Sequence, residues 1–201
     1  MSKVAFLVAG MSQQIPVLKD VDYIGIDSGA LLCMNQNILM TYAIGDFDSI
    51  SKEDFKKLKT YTTCIKLNPE KNETDSEAAI LLTLEKGYDS IILYGGLGGR
   101  IDHELANLRL MIERNYPIEL WNEANRLKVL NEGKYFVKKG FKYLSFLALK
   151  TSVITEKGVK YPLEKCTITP NDIFTVSNEV IEQAEIIIHS GKVLMIESNQ
   201  I

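Results

Sequence analysis

The feature that most constrains the fold is a change in sequence pattern near residue 122. Before it, short apolar runs rich in β-branched or aromatic residues alternate with stretches of helical period, which is typical of a parallel α/β sheet. After it, short alternating runs separated by turn residues replace the helical period. The pattern predicts an α/β fold class, with a mostly parallel domain over residues 1–122 and a small all-β sandwich or barrel over residues 123–201.

Eleven short runs are interpreted as strands, and three stretches of the first domain as helices. The first-domain strands are predicted at Val4–Ala9, Tyr23–Asp27, Tyr42–Ile44, Cys64–Leu67, Ser90–Tyr94 and Ile118–Trp121. The helices are predicted at residues 51–59, 76–86 and 104–114. Residues 78, 81, 82 and 85 of the second helix have helical spacing, as do residues 105, 108, 111 and 112 of the third, which predicts the face that each turns to the core. The second-domain runs are Lys134–Lys138, Tyr143–Ala148, Phe174–Val176, Ile186–His189 and Val193–Ile196. Ser190-Gly191 predicts a hairpin that joins the last two runs.

Charge and cysteine content restrict the possible partners and compartment. The 201-residue chain carries a formal net charge of −3, which gives no overall positive field for nucleic acid or for an anionic membrane. Its three cysteines show neither metal-ligand nor disulfide spacing, and the N-terminal apolar run is shorter than a signal peptide or a membrane span. We therefore expect a cytoplasmic protein that binds no nucleic acid and no membrane.

Two aspartates directly follow the third predicted strand, in the sequence Gly45-Asp46-Phe47-Asp48-Ser49. Ligands collect at the carboxyl edge of open α/β sheets, and in an extended segment Asp46 and Asp48 point the same way. Because adjacent carboxylates repel each other unless a cation neutralises them, the pair indicates an oxygen-ligated Mg²⁺ site. Taken by itself, the pair is explained equally well by a turn with an Asx cap before the next helix.

A second acidic cluster, residues 70–77, precedes the second predicted helix. Thr74 and Glu77 have the spacing of a capping box, so the cluster is explained first as a helix start. Lys71 and Asp75 add a cation for phosphate oxygens and a further carboxylate for a metal. Both lie at a helix N-terminus, where anions are favoured.

The third motif is glycine-rich and covers Gly95 to His103. Glycines let a backbone approach a polyphosphate closely, and Arg100 is a donor that can hold two phosphate oxygens. The spacing fits neither the dinucleotide fingerprint nor the Walker loop, and the alternative is a flexible crossover loop. Asp27-Ser28-Gly29 either contacts a ligand or caps a helix. His103 and His189 are interpreted as ordinary polar or core residues, and Trp121 as core.

Six segments resemble, in the same order, motifs of the thiamine pyrophosphokinase family. They are Asp27–Gly29, Gly45–Ser49, Lys71–Asp75, Gly95–His103, Gly158–Leu163 and Ser177–Glu179. The resemblance implies a nucleotide-binding α/β domain for Mg-ATP, a thiamine-binding β-sandwich, and a homodimer whose active sites lie between subunits. The chain departs from the family pattern at Asn72, where many relatives carry aspartate, and at Tyr161, where animal relatives carry tryptophan.

The same resemblance assigns roles to individual residues. Mg²⁺ would be held by Asp46, Asp48 and Asp75, which form the catalytic group together with Arg100 and Asp102. The nucleotide phosphates would be bound by Lys71, Asn72, Thr74, Gly95, Gly96, Gly98, Gly99 and Arg100. Asp27 would face thiamine, Tyr161 of the partner subunit would offer it a cation–π contact, and Ser177 with Asn178 would hydrogen-bond its pyrimidine.

The expected reaction is direct attack of the thiamine hydroxyl on the β-phosphorus of ATP, with AMP leaving and no phosphoenzyme. One alternative is a magnesium-dependent phosphohydrolase of a nucleotide or diphosphate, which would consume ATP without thiamine. The other is a non-catalytic sensor that binds thiamine or a nucleotide and forms no AMP.

Overall fold

The computed structural model describes residues 3–10, 14–68, 70 and 72–199. The chain forms two compact units, Met1–Glu123 and Ala124–Ile201. Over the described ranges, no helix is both long enough and apolar enough to cross a membrane.

Over the residues that the structure describes, the first unit is built on six strands, all paired in parallel. They are β1 (Val4–Val8), β2 (Asp22–Ile26), β3 (Met40–Gly45), β4 (Cys64–Lys66), β5 (Ser90–Tyr94) and β6 (Ile118–Trp121). Their spatial order is β4-β3-β2-β1-β5-β6. The chain thus adds β2 to β4 on one side of β1, then returns to place β5 and β6 on the other side.

In the described parts of the connections, four helices join these strands: α1 (Ser28–Asn35), α2 (Lys52–Tyr61), α3 (Asp75–Glu85) and α4 (Ile101–Ile112). On one face of the sheet the Phe6 ring packs against Tyr23, Tyr94 and Trp121, with centroid distances of 5.1, 5.4 and 6.2 Å. Ala30, Ala43, Phe47 and Leu58 belong to a second cluster. Because the strands are buried on both faces, their sequences are almost continuously apolar.

The predicted strands of this unit are found within two residues of their expected ends, whereas the predicted buried faces of the helices need correction. In α3 the buried residues are Ala79, Ile80 and Thr83, not the predicted stripe through Ala78 and Leu82. Residues 78–84 are apolar almost without interruption, so their periodicity does not single out one face. In α4, Leu105 was expected in the core but is 54% exposed.

The described part of the second unit, residues 124–199, contains seven strands paired antiparallel. They are β7 (Asn125–Leu130), β8 (Gly133–Lys138), β9 (Tyr143–Ala148), β10 (Ser152–Val159), β11 (Leu163–Ile168), β12 (Val180–Ser190) and β13 (Val193–Ser198). β13 pairs with β7 and β9, whereas β12 pairs with β10 and β8. All seven strands contribute to one apolar core, and the mixed α/β class with a separate antiparallel sheet is confirmed.

Two predictions in this unit are wrong. Ser190-Gly191 does not close a hairpin, because β12 and β13 belong to different sheets and the dipeptide carries the chain from one to the other. Phe174–Val176 is not a strand. Thr175 is buried and donates its hydroxyl to the Phe146 carbonyl, while Phe174 and Val176 are exposed, so a turn produces the same alternation as a strand.

Candidate functional site

A cavity of about 310 Å³ opens at the carboxyl ends of the parallel strands of the first unit. Residues that follow β1, β2 and β5 line it, together with the starts of α3 and α4. β1 and β5 are neighbours from which the chain continues in opposite directions, and open α/β sheets bind ligands at such a point. The predicted motif residues in the lining are Asp27, Ser49, Thr74, Asp75, Gly95, Gly96, Gly98 and Arg100.

Asp27 lies between β2 and α1, and its backbone has a positive φ of 46°. Its Oδ1 accepts a hydrogen bond of 3.3 Å from the backbone N–H of Phe47, rather than capping α1. Gly45 makes room for it, since a Cβ at that position would overlap the Asp27 carboxylate. A non-glycine residue in this conformation is uncommon and costly, which is a feature of functional sites.

The Asp27 carboxyl group is in contact with other acids. Burial and the negative charge of Asp75 raise its pKa to about 7, and the charge of Asp46 contributes in the same direction. A hydrogen bond between the Asp27 and Asp75 side chains accompanies this. Three aspartates from three separate segments therefore interact at the ends of the strands.

The segment from Asp46 to Asp48 is a turn, which corrects the expectation of an extended segment. Phe47 has a φ of 58°, and the N–H of Asp48 donates to Asp46 Oδ1 at 3.0 Å, an Asx turn. Asp46 is half-buried, Asp48 is exposed, and the cavity lining includes neither of them. Over residues 3–10, 14–68, 70 and 72–199, no group of three or more His, Cys, Asp or Glu side chains is arranged to hold a metal ion.

The N-terminus of α3 borders the cavity. Thr74 is the N-cap, and its side chain accepts a hydrogen bond of 3.1 Å from the N–H of Glu77, as the capping box predicts. Asn72 is exposed and outside the cavity lining. Lys71, for which phosphate binding is predicted, lies outside the described residues.

The glycine loop contains three glycines with left-handed backbones: Gly95, Gly98 and Gly99 have φ values of 76°, 91° and 83°. Asn107 Nδ2, on α4, donates a hydrogen bond of 2.8 Å to the carbonyl of Gly96 and so holds this part of the loop in place. Sequence reasoning missed Asn107, although a polar residue on the apolar side of a predicted helix was a usable signal. His103, interpreted from the sequence as an ordinary polar or core residue, also lines the cavity.

Acidic side chains are hydrogen-bonded to two groups of this loop for which phosphate binding is predicted. Arg100 donates from Nε and NH2 to the two carboxylate oxygens of Asp102, at 3.2 and 2.6 Å, and this pairing lowers the pKa of Asp102. The N–H of Gly98 donates to Glu104 Oε2 at 2.9 Å. Arg100 lines the cavity, whereas Asp102 is outside the lining.

The predicted thiamine contacts lie in the second unit. Tyr161 is 63% exposed, and Lys160 Nζ lies 5.6 Å from the centre of its ring. Ser177 is exposed, with φ of 60°, and its N–H donates to Ser145 Oγ. Asn178 is 7% exposed, and its side-chain amide bonds to groups of its own unit. One of these groups is Glu156, a buried acid that the sequence reasoning did not single out.

Two family models match the chain. One, described as the catalytic domain of thiamin pyrophosphokinase, matches residues 18–121. The other, described as the vitamin B1 binding domain of thiamin pyrophosphokinase, matches residues 133–194. Among curated proteins, the chain is 32% identical over 167 residues to thiamine pyrophosphokinase of Bacillus subtilis strain 168, covering 79% of this chain and 78% of that protein.

Solved structures agree with these matches. The crystal structure of thiamine pyrophosphokinase from Bacillus subtilis has a TM-score of 0.85 and 28% identity, and both chains are covered completely. A thiamin pyrophosphokinase family protein from Enterococcus faecalis has a TM-score of 0.85 and 30% identity, also with complete coverage of both chains. The chain therefore belongs to the thiamine pyrophosphokinase family and is a transferase enzyme of that family.

Proposed function

We propose that this enzyme transfers the diphosphoryl group of ATP to the hydroxyl of thiamine, giving thiamine diphosphate and AMP. The observation that carries the proposal is the cavity at the β1–β5 junction, where Asp27, Asp75, Arg100 and the glycine loop converge. The catalytic family model covers this unit, and the vitamin B1 binding model covers most of the other.

The polyphosphate of ATP binds, in this proposal, against the glycine loop. The left-handed glycines bring backbone N–H groups to the cavity wall, and the N-termini of α3 and α4 favour negative charge there. Arg100 stabilises charge that develops on the phosphates once it exchanges Asp102 for phosphate oxygens. The backbone and side-chain donors at the cavity hold the β-phosphorus in line with the attacking hydroxyl.

The donor chemistry fits Mg²⁺. This ion prefers carboxylate oxygens, and proteins usually hold it with one or two carboxylates together with substrate phosphates and waters, so a preformed protein cage is unnecessary. The mutual contact of the Asp27 and Asp75 carboxyl groups, near Asp46, is the crowding of negative charge that a cation would relieve. We propose Asp46, Asp48 and Asp75 as its ligands. When bound, Mg²⁺ neutralises and orients the phosphates.

The remaining residues act on thiamine in this proposal. An aspartate of the site accepts the proton of the hydroxyl as its oxygen attacks, and AMP leaves without a phosphoenzyme. The exposed ring of Tyr161 stacks on the cationic substrate, and Ser177 donates a hydrogen bond to its pyrimidine. The protein acts as a homodimer, in which the thiamine contacts are those of the partner subunit.

The test measures AMP and thiamine diphosphate in the same samples, with Mg-ATP, in the presence and absence of thiamine. The expected result is one AMP for each thiamine diphosphate, and no AMP when thiamine or Mg²⁺ is omitted. Phosphate release that does not require thiamine would instead indicate a phosphohydrolase. Binding of thiamine or ATP without turnover would indicate a sensor.

A further inference from the structure

The second unit contains a buried acid that the proposed reaction does not use. Glu156 lies in β10 and is 1% exposed. Its Oε2 accepts a hydrogen bond of 3.0 Å from Nδ2 of Asn178. Burying a carboxyl group is costly, and accordingly its pKa is raised to about 7. A fold that only needed to fill this position would place an apolar side chain there.

Asn178 uses its whole side-chain amide inside the unit. Nδ2 donates to Glu156 and, at 2.9 Å, to the carbonyl of Tyr161. Oδ1 accepts from the backbone N–H groups of Tyr161 and Glu179, each at 3.0 Å. An asparagine amide has two donor hydrogens and two acceptor lone pairs, so all four are occupied. The side chain thereby ties the Tyr161 segment to the Ser177–Glu179 segment.

Glu156 is one of four partners that favour the same orientation of this amide. The other three partners of the amide are backbone groups of the two segments that it joins. If the amide turned over, its NH₂ group would face two backbone N–H donors, and its oxygen would face Glu156 Oε2 and the Tyr161 carbonyl. Glu156 lies in β10, which the sheet holds through its pairing with β11 and β12, so its hydrogen bond anchors the amide to the sheet.

We infer that Glu156 is a positioning residue for the thiamine contacts, acting through Asn178 and not by touching the substrate. The inference rests on the proposed function, in which Tyr161 and Ser177 contact thiamine. Asn178 belongs in this arrangement as a buried connector between those two residues. Glu156 and Asn178 therefore govern how well thiamine binds, while the phosphate chemistry of the first unit is left unchanged.

The test compares Glu156→Leu, which removes the acceptor, with Glu156→Gln, whose carbonyl oxygen can still accept from Asn178. Glu182→Leu, an exposed acid of the same unit, is the matched control. Steady-state kinetics give kcat and KM for thiamine. Amide hydrogen exchange by NMR follows the N–H groups of Tyr161 and Glu179, which report the connection even if the protein has no activity toward thiamine.

We expect Glu156→Leu to raise the thiamine KM about tenfold or more with little change in kcat, as for loss of one buried hydrogen bond. Exchange at Tyr161 and Glu179 should accelerate by a similar factor. Glu156→Gln should restore both values to near those of the parent protein, and Glu182→Leu should change neither.

Unchanged exchange at Tyr161 and Glu179 in Glu156→Leu would overturn the inference, as would a fall in kcat with KM unchanged. If Glu156→Leu does not fold, Glu156→Met replaces it: the length of the side chain is kept and its thioether is at most a weak acceptor, so the same rise in KM and in exchange is required. If the parent protein forms no AMP with thiamine, but exchange in Glu156→Leu is accelerated, the proposed function is refuted. The structural link from Glu156 through Asn178 to the Tyr161 segment is then still supported.

Discussion

Asp46 and Asp48 lie on a turn at the end of β3, and this explains how two like charges come to be adjacent. The Asx turn gives one oxygen of Asp46 a partner in the N–H of Asp48, while Asp48 itself projects to the surface. Neither carboxylate supports the core, which is formed here by Phe47 and Ile50. Their proposed role is therefore separable from folding.

Replacing either aspartate with asparagine should abolish turnover and leave the fold intact. We expect Asp46→Asn and Asp48→Asn each to lower kcat by about a hundredfold or more, in line with losses of groups that stabilise charge in the transition state. Thermal unfolding should shift by no more than it does in Glu53→Gln, an exposed acid on α2. Near-full activity in either aspartate variant would refute the metal-site assignment.

The buried Glu156 predicts a pH dependence of stability. Its pKa is about 7 in the folded protein against an ordinary 4.5, so between these values the unfolded chain ionises while the folded chain stays protonated. The folded state therefore loses relative stability as pH rises, by about 3 kcal/mol in total, most of it by pH 7.

Glu156→Gln removes this loss because glutamine does not titrate. In urea unfolding, the free energy of unfolding of Glu156→Gln minus that of the parent should therefore be larger at pH 8 than at pH 5. An equal difference at the two pH values would show that Glu156 does not titrate abnormally in the folded protein.

At the scale of elements, donor groups of the glycine loop and of the start of α4 are hydrogen-bonded to carboxylates of α4 itself. Arg100 donates to the Asp102 carboxylate, and the N–H of Gly98 donates to the Glu104 carboxylate. Both donors are among the groups proposed to bind phosphate. A carboxylate is an anion that such donors hold as they would hold a phosphate oxygen. Binding of a polyphosphate here requires that these contacts open.

Removing the Glu104 carboxylate should therefore favour ATP. We expect Glu104→Ala to lower the KM for ATP about threefold, the worth of one exposed charge-assisted contact that no longer competes. The matched control is Glu113→Ala at the other end of α4, which should leave KM unchanged. A raised KM for ATP in Glu104→Ala would show that this side chain supports the loop and does not compete with substrate.

The same elements show what the sequence could and could not predict. The motifs around Asp27, Asp75 and Gly95 meet because the carboxyl ends of parallel strands share one edge, a consequence of the strand–helix alternation alone. The Ser190-Gly191 turn was misassigned because a local turn signal does not specify which sheet receives the next strand. Glu104 and Asn107 were missed because their partners, the N–H of Gly98 and the carbonyl of Gly96, depend on how the glycine loop lies against α4. Glu156 was missed because its partner, Asn178, belongs to a segment 22 residues further along the chain.

At the scale of the whole molecule, the chain carries its two family matches on two separate compact units. Sequence patterns predicted a division into an α/β part and an all-β part, because the helical and the strand repeat of apolar residues can be told apart in short segments. The predicted thiamine contacts rest only on the family resemblance, since an exposed tyrosine and an exposed serine form no sequence pattern that indicates a binding site. Assembly as a homodimer and a cytoplasmic location stay predictions.

A mixing experiment tests the predicted sharing of sites between subunits. At a thiamine concentration well below its KM, Asp46→Asn and Tyr161→Ala should each be weakly active, but in a mixed dimer one of the two sites regains both original residues. Random reassortment should then restore about a quarter of the parent activity, since half of the dimers are mixed and each has one complete site. Activity no higher than the mean of the two variants would place both residues in the same subunit's site.

The most direct test of diphosphoryl transfer follows two labelled forms of ATP, one with ³²P at the β-phosphorus and one at the γ-phosphorus. The account predicts that both labels appear equally in thiamine diphosphate and that AMP carries neither. Label from the γ-position alone in a thiamine monophosphate, or label released as free phosphate, would contradict it.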